Sequence, residues 1–192
     1  MSINIIGGGL AGCEAAYQVA KRGIKVNLYD MKPNKKSPAH HSDKLCELVC
    51  SNSLKAARKE SAAGMLKEEM RMLDSLLMKC ADKSKVPAGG ALAVDREIFS
   101  NLVNDEINNN PNITVINEEV TEIPDGITII ASGPLTSDLL SDKIKTMFGD
   151  SLSFYDAAAP IVKFDTVDMN KAFFASRYDK GDGDDYINCP MN

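Results

Sequence analysis

No apolar run in this sequence is long enough to cross a bilayer, and neither a basic segment nor a cleavage site precedes the first apolar residues. These absences predict a cytoplasmic protein with no membrane span and no signal peptide. No internal repeat is visible. The 192 residues suffice for one well-buried domain, or for one domain and part of another.

The cysteine pattern disfavours both a disulfide framework and a zinc site. The five cysteines are an odd number at scattered positions, namely Cys13, Cys46, Cys50, Cys80 and Cys189. Cys46 and Cys50 stand four residues apart, but no second pair follows at the spacing of zinc ligands. We therefore predict no metal site, and a buried structural role for Cys13, Cys46 and Cys80.

Negatively charged residues are scarce in the first third of the chain. Residues 1–60 contain ten Lys/Arg and only five Asp/Glu, although the whole chain has a net charge of −5. A local basic surface of this kind can bind an anionic partner. The same lysines and arginines can also serve only to solvate helix and loop surfaces, so both interpretations stay open.

What the sequence does have is a glycine-rich turn in an informative position. Gly7, Gly9 and Gly12 match G-x-G-x-x-G, directly after an apolar run at 3–6. A helical pattern follows over 10–22, and a second apolar run ends in Asp30, 18 residues after Gly12. Strand, turn, helix, strand and acid in this order are typical of a dinucleotide-binding βαβ unit.

Each part of this unit has a physical role. Gly7 lets the chain turn sharply, Gly9 lets a pyrophosphate approach the backbone, and Gly12 lets the helix pack closely on the strands. The helix that starts near Leu10 directs its free N–H groups and its positive dipole end at the phosphates. Asp30 is suitably placed to hold the ribose hydroxyls. A glycine turn without a ligand would leave these glycines and the acid unexplained.

The rest of the pattern predicts an α/β fold, a Rossmann-type parallel sheet with flanking helices. Irregular residues 31–60, which hold both histidines, read as a functional loop. A helix is expected over 61–81, with a core stripe formed by Leu66, Met70, Leu73, Leu77 and Cys80. Further elements are a turn and short strand at 86–94, a helix over 95–109, strands at 112–117, 118–123 and 127–131, and a helix over 135–149.

Beyond residue 150 the pattern weakens, so we assign 1–150 to a nucleotide-binding domain and 151–192 to the incomplete start of a second, inserted domain. Strand-like pieces occur at 153–162, and a strand begins at Tyr186. The chain stops soon afterwards, so that strand is expected to have no partner. A truncated chain is therefore predicted.

Five segments together resemble one protein family. They are the glycine turn at 5–16, PAHH at 38–41, ELVCSNSL at 47–54, VPAGGALAVDR at 86–96 and FYDAAAPIV at 154–162. Over its whole length the chain resembles the folate- and flavin-dependent tRNA (uracil-5-)-methyltransferases (the TrmFO family), relatives of the GidA-type tRNA-modification flavoproteins. ELVCSNSL and PAGGALAVDR are far more specific than the glycine motif.

The resemblance implies an FAD-binding Rossmann domain and a defined reaction. A one-carbon unit moves from 5,10-methylenetetrahydrofolate to C5 of a uridine in the tRNA T loop, with NAD(P)H as the reductant of the flavin; close relatives act on ribosomal RNA. The implied cofactor-binding residues are Gly7, Gly8, Gly9, Leu10, Ala11, Gly12, Asp30, Ser132 and Gly133. Family members are longer than this chain and carry a further cysteine downstream, so a missing C-terminal half is expected to be needed for full activity.

Cys50 is the catalytic residue that the resemblance implies, because a thiolate can attack an electrophilic carbon such as uracil C6. The substrate-binding residues that it implies are His40, His41, Asn52 and Arg96. The histidines could instead be solvated, and Asp95 with Arg96 could simply cap a helix. Two other functions remain open at this point: an FAD-dependent oxidoreductase without an RNA substrate, and an inactive N-terminal fragment.

Overall fold

The structure, a computed structural model, describes residues 2–149, 162–176 and 184–190. The strands are β1 (Ser2–Ile6), β2 (Lys25–Asp30), β3 (Ser53–Ala56), β4 (Lys85–Val86), β5 (Ala91–Val94), β6 (Ile113–Asn117), β7 (Thr128–Ile130), β8 (Phe173–Ala175) and β9 (Tyr186–Asn188). The helices are α1 (Leu10–Ala20), α2 (Ala62–Met72), α3 (Leu76–Lys83), α4 (Arg96–Asn108) and α5 (Asp138–Phe148). Across these described residues, no helix combines the length and apolar character that a membrane span requires.

The predicted α/β architecture is confirmed by a parallel four-stranded sheet in the order β6-β2-β1-β7. Ile5 in β1 stands opposite Leu28 on one side and Ile129 on the other. The chain builds outward from β1 through β2 to β6 and then returns to place β7 on the other flank of β1. Ligands of open α/β sheets bind outside the carboxyl ends of the strands at such a change of direction.

The two faces of the sheet have separate apolar cores. Side chains alternate along a strand, so Ile5 faces a cluster with α1, α3 and α4, whereas the next residue, Ile6, faces α5. Phe99 of α4 is fully buried in the larger cluster. Leu140 and Ile144 are the residues that α5 buries on the opposite face. The sheet is therefore flanked by helices on both faces, as a parallel sheet requires.

A second, antiparallel sheet is inserted between β2 and β6, with strand order β3-β5-β4. It continues into α4, whose N-terminus is capped by the Asp95 carboxylate, which accepts hydrogen bonds from the N–H groups of Glu97 and Ile98. Capping of the helix, one of the roles left open for Asp95, is thus what the structure shows. Gly23, with a φ of +77°, follows α1 and ends it.

The single helix predicted over 61–81 is wrong, because the structure has two helices there. Asp74 adopts a φ of +61°, and the Ser75 hydroxyl caps the N-terminus of α3 by accepting from the N–H of Met78. The break divides the predicted apolar stripe between two helices, so its residues no longer lie on one helix face. Leu66 and Leu73 are 58% and 73% exposed instead of lying in the core. Leu66 lines an open apolar groove, whereas Cys80 is buried as predicted.

Two strand predictions also need correction. Residues 118–123 form no strand, because the chain leaves the sheet after β6 and its apolar residues Val120 and Ile123 are spaced by three, not two. The strand at Tyr186 does have a partner, since β9 pairs antiparallel with β8. The tyrosine hydroxyl also donates to the Ala88 carbonyl oxygen at 2.9 Å. The pieces predicted at 153–161 lie outside the described residues.

A partly buried carboxylate joins α1 to the N-terminus of α3. Glu14 accepts hydrogen bonds from the Ser75 hydroxyl at 2.8 Å and from the N–H groups of Leu76 and Leu77 at 3.3 and 3.0 Å. We expect Glu14→Gln to lower the free energy of unfolding by about 2 kcal/mol, because an amide nitrogen cannot accept from these donors and the helix dipole favours a negative charge. Urea denaturation measures this change.

The matched control for this substitution is Glu69→Gln, an identical change at an exposed position of α2. It should shift the free energy of unfolding by no more than about 0.5 kcal/mol. Equal effects of the two substitutions would show that the contact to α3 contributes nothing.

Candidate functional site

A cleft of about 320 Å³ opens at the carboxyl ends of β1, β2 and β7. We call it the glycine-turn cleft. It is lined by residues 6–11, 29–31, 118–120 and 131–137 together with His40, Glu47, Val49 and Leu140. Its volume is within the range of small-molecule sites, and its position is the switch point of the sheet.

Two of the three motif glycines are required by the packing of the turn itself. Gly7 has a φ of +107°, and a Cβ there would lie 2.7 Å from the backbone of Ala131 and Ser132. A Cβ on Gly12 would lie 1.8 Å from the carbonyl oxygen of Gly7. These contacts bring α1, β1 and the loop after β7 close together, and they hold without any ligand.

Gly9 differs from these two because its surroundings are open. A Cβ on Gly9 would meet no atom within 4 Å, and the φ of −78° is accessible to any residue. Gly9 is also the N-cap of α1, and as a glycine it offers no side chain to the free N–H groups of the first turn. The result is an uncapped helix N-terminus that opens directly onto the cleft.

Asp30 lies at the cleft floor, where it is buried and holds the glycine turn. Its Oδ2 accepts from the N–H of Gly8 at 2.7 Å, and its Oδ1 accepts from the N–H of Lys32 at 2.9 Å. Each carboxylate oxygen has a second lone-pair direction. Asp30 can therefore fix the turn and still accept a hydrogen bond from a ligand hydroxyl.

The loop at 37–47 forms one wall of the cleft. Its Glu47 carboxylate accepts from the N–H groups of His41 and Ser42 and lies 3.7 Å from the ammonium of Lys32. Lys32 is itself buried and donates to the Lys44 carbonyl oxygen. This buried ion pair ties the wall to the end of β2. One Glu47 oxygen, Oε2, has no hydrogen-bond partner among the described residues.

The structure brings His40 into this cleft but leaves the other predicted substrate residues outside it. His41 and Arg96 line a separate hollow of about 300 Å³, which shares Glu47 with the glycine-turn cleft. Asn52 donates through its side chain to the Val94 carbonyl oxygen at 3.0 Å, an anchor for β5. Cys50 is exposed, and the Arg96 guanidinium donates to its carbonyl oxygen at 3.4 Å.

Burial of the remaining thiols agrees with their predicted structural role. Cys13, Cys46 and Cys80 are all buried. A hydrogen bond with Cys13, followed by burial, raises the pKa of the Cys46 thiol well above its usual range, and burial raises the pKa of Cys80 to about 11. Such thiols stay protonated and are poor nucleophiles. Within the described ranges, no cluster of three or more His, Cys, Asp or Glu is arranged to hold a metal ion.

Sequence reasoning missed part of the cleft wall. Glu118, Glu119 and Val120 line it, as do Thr136 and Ser137. The signal was available for the first three, because residues that follow a parallel strand gather at its carboxyl edge. Ser132 and Gly133, which the sequence does assign to the site, lie on the same wall, and the Ser132 and Thr136 hydroxyls are 2.7 Å apart.

These residues fit the adenosine diphosphate part of a dinucleotide. The free N–H groups at the start of α1 suit a diphosphate, the open space at Gly9 lets it approach, and Asp30 offers an acceptor for a ribose hydroxyl.

Known proteins resemble this chain along nearly its whole length. A family model described as glucose inhibited division protein A matches residues 2–192. The chain is 64% identical over 192 residues to the "methylenetetrahydrofolate--tRNA-(uracil-5-)-methyltransferase TrmFO" of Acetivibrio thermocellus and 59% identical to the protein of the same name from Geobacter sulfurreducens. These alignments include 99% and 100% of the chain but 44% of each relative.

The chain therefore spans less than half the length of these curated relatives. Among solved structures, one titled "Crystal structure of MHPCO, Y270F mutant" matches 59% of this chain and 31% of its own, with 12% identity and a TM-score of 0.34. A similarity at that level supports no conclusion about this chain.

Proposed function

The chain belongs to the glucose inhibited division protein A family, and on that basis we propose that it forms the FAD-binding part of a folate-dependent tRNA (uracil-5-)-methyltransferase. The reaction would transfer a one-carbon unit from 5,10-methylenetetrahydrofolate to C5 of a uridine in the T loop of tRNA. Relatives with 58–64% identity carry the name of that enzyme. The relatives that carry this name are longer than this chain, which covers 44% of the first two.

The observation that carries the cofactor assignment is the open, uncapped N-terminus of α1. Gly9 leaves space in front of this N-terminus. The family that the sequence resembles consists of flavoproteins. In this arrangement the α1 N–H groups bind the diphosphate of FAD and Asp30 accepts from its ribose. Ser132 and Gly133 line the cleft beside the glycine turn. The flavin, when bound and in its reduced form, would supply the electrons that reduce the transferred methylene to a methyl group.

The chain's own residues have two further tasks in this proposal. Cys50 provides a nucleophilic sulfur near the cofactor, directly after Val49, which lines the cleft. Arg96 and Asn52 hold that loop through the backbone contacts described above. We propose that they act through this support, and that His41, which lines the separate hollow, contacts substrate outside the cleft.

The proposed reaction requires other molecules besides this chain. NAD(P)H would re-reduce the flavin, tRNA would be the substrate, ribosomal RNA is the alternative target, and the reaction would take place in the cytoplasm. The portion of the relatives that this chain does not span would complete the sites for RNA and folate.

The first test is the absorbance spectrum of the purified chain after incubation with FAD and gel filtration. We expect flavin bands at about 370 and 450 nm that remain with the protein. A protein that folds cooperatively but stays colourless would refute the cofactor assignment. If flavin is retained, RNA binding that weakens steeply with salt supports the methyltransferase over an oxidoreductase without RNA, and its absence contradicts an RNA contact by this part.

A further inference from the structure

We propose that His40 binds a phosphate oxygen of the dinucleotide through its Nε2–H, and is thus part of the cofactor site and not of the folate or RNA site. This inference rests on the proposed function. It assigns the two adjacent histidines of the chain to different roles.

The first observation concerns the side-chain donors of the glycine-turn cleft. Among the described residues, its lining includes the carboxylates of Asp30, Glu47, Glu118 and Glu119 but no lysine or arginine. His40 has the only side-chain nitrogen among these described lining residues, and the other side-chain donors are the hydroxyls of Tyr29, Ser132, Thr136 and Ser137. A diphosphate in this cleft can therefore receive an N–H from the backbone of the glycine turn and α1 or from the His40 ring.

The second observation is the tautomer that the neighbouring residues select. The N–H of Ser37 points at His40 Nδ1 at 3.3 Å, and the Ser37 hydroxyl lies 3.0 Å from the same nitrogen. Because a backbone N–H can only donate, Nδ1 is the acceptor and the ring proton of the neutral form is on Nε2. Within the described part of the chain, no hydrogen bond of Nε2 occurs. That donor is available to a ligand.

The third observation is that the surroundings favour the neutral ring. Burial, followed by the positive charge of Lys32, lowers the pKa of His40, with Lys36 acting in the same direction and Glu47 and Asp30 opposing it. The ring therefore presents one N–H at neutral pH, which is a suitable donor to a phosphate oxygen. His41, by contrast, is exposed and lies outside the cleft.

The experiment compares His40→Asn with His40→Gln. An asparagine side chain can replace Nδ1 toward Ser37 but is too short to reach the Nε2 position, whereas glutamine can place an amide donor there. The control is His41→Asn, the same substitution one residue away. Calorimetry measures the affinity of each variant for ADP-ribose, which carries the diphosphate, and for adenosine, which does not.

We expect His40→Asn to weaken ADP-ribose binding about tenfold and to leave adenosine binding unchanged. His40→Gln should stay within about threefold of the unaltered protein for both ligands, and His41→Asn should change neither. Unchanged ADP-ribose binding in His40→Asn, or an equal loss for both ligands, would overturn the inference while the proposed function stands. If the unaltered, folded chain bound neither ligand, the proposed function would fail together with the inference.

Discussion

The Gly9→Val variant should fold normally and lose FAD, with a dissociation constant raised by at least about 100-fold. A Cβ at this position meets no protein atom within 4 Å, and the φ of −78° and ψ of −168° suit a valine. Its methyl groups would occupy the space through which the diphosphate reaches the α1 N–H groups. Loss of two charge-assisted hydrogen bonds, each about 1.5 kcal/mol, accounts for a factor of this size.

Flavin content after gel filtration and the thermal unfolding midpoint together check this prediction. Gly90→Ala is the control, because its added Cβ finds only Arg58 Nε at 3.8 Å and lies away from the cleft. Gly12→Ala supplies the contrast within the motif. Its Cβ would lie 1.8 Å from Gly7 O, so it should destabilise the fold by about 3 kcal/mol. Normal flavin content in folded Gly9→Val would contradict the cofactor site.

The sequence predicts the βαβ unit and the start of α4 well because the signals at both places are local. Gly23 ends α1 through its own positive φ, and Asp95 caps α4 with its own side chain. The long helix over 61–81 fails for the opposite reason. Its break at Asp74 and Ser75 is stabilised by Glu14, which is some sixty residues away in sequence. Apolar spacing alone carries no information about such a contact.

The same distinction applies to the candidate site. The glycine turn, Asp30 and Ser132 follow parallel strands, so their convergence on one edge of the sheet is predictable from the topology. The placement of adjacent His40 and His41 in two different cavities is not predictable in this way. It depends on Glu47, which accepts from the backbone of His41 and pairs with buried Lys32, a tertiary arrangement that leaves no periodic trace in the sequence.

The second large effect is expected at Cys50. We expect Cys50→Ala to lower the rate of uridine methylation by about 1000-fold or more without reducing flavin content, because removal of a nucleophile abolishes a covalent route but leaves binding contacts in place. The assay uses a chimera in which residues 1–192 replace the matching part of the Acetivibrio thermocellus relative, to which they are 64% identical. Transfer of a labelled methylene group to tRNA is the measured quantity.

The exposed Cys189 provides the matched control, since Cys189→Ala removes the same group from a site remote from the glycine-turn cleft. The reaction of Cys50 requires that its loop be held in place. Arg96→Lys changes the donor to the Cys50 carbonyl oxygen, so it should lower the methylation rate, but less than Cys50→Ala does, and it should not alter flavin content. Full methylation by Cys50→Ala would remove this thiol from the chemistry. Equal losses from Cys50→Ala and Cys189→Ala would instead show that the rate falls whenever an exposed thiol is removed, whatever its position.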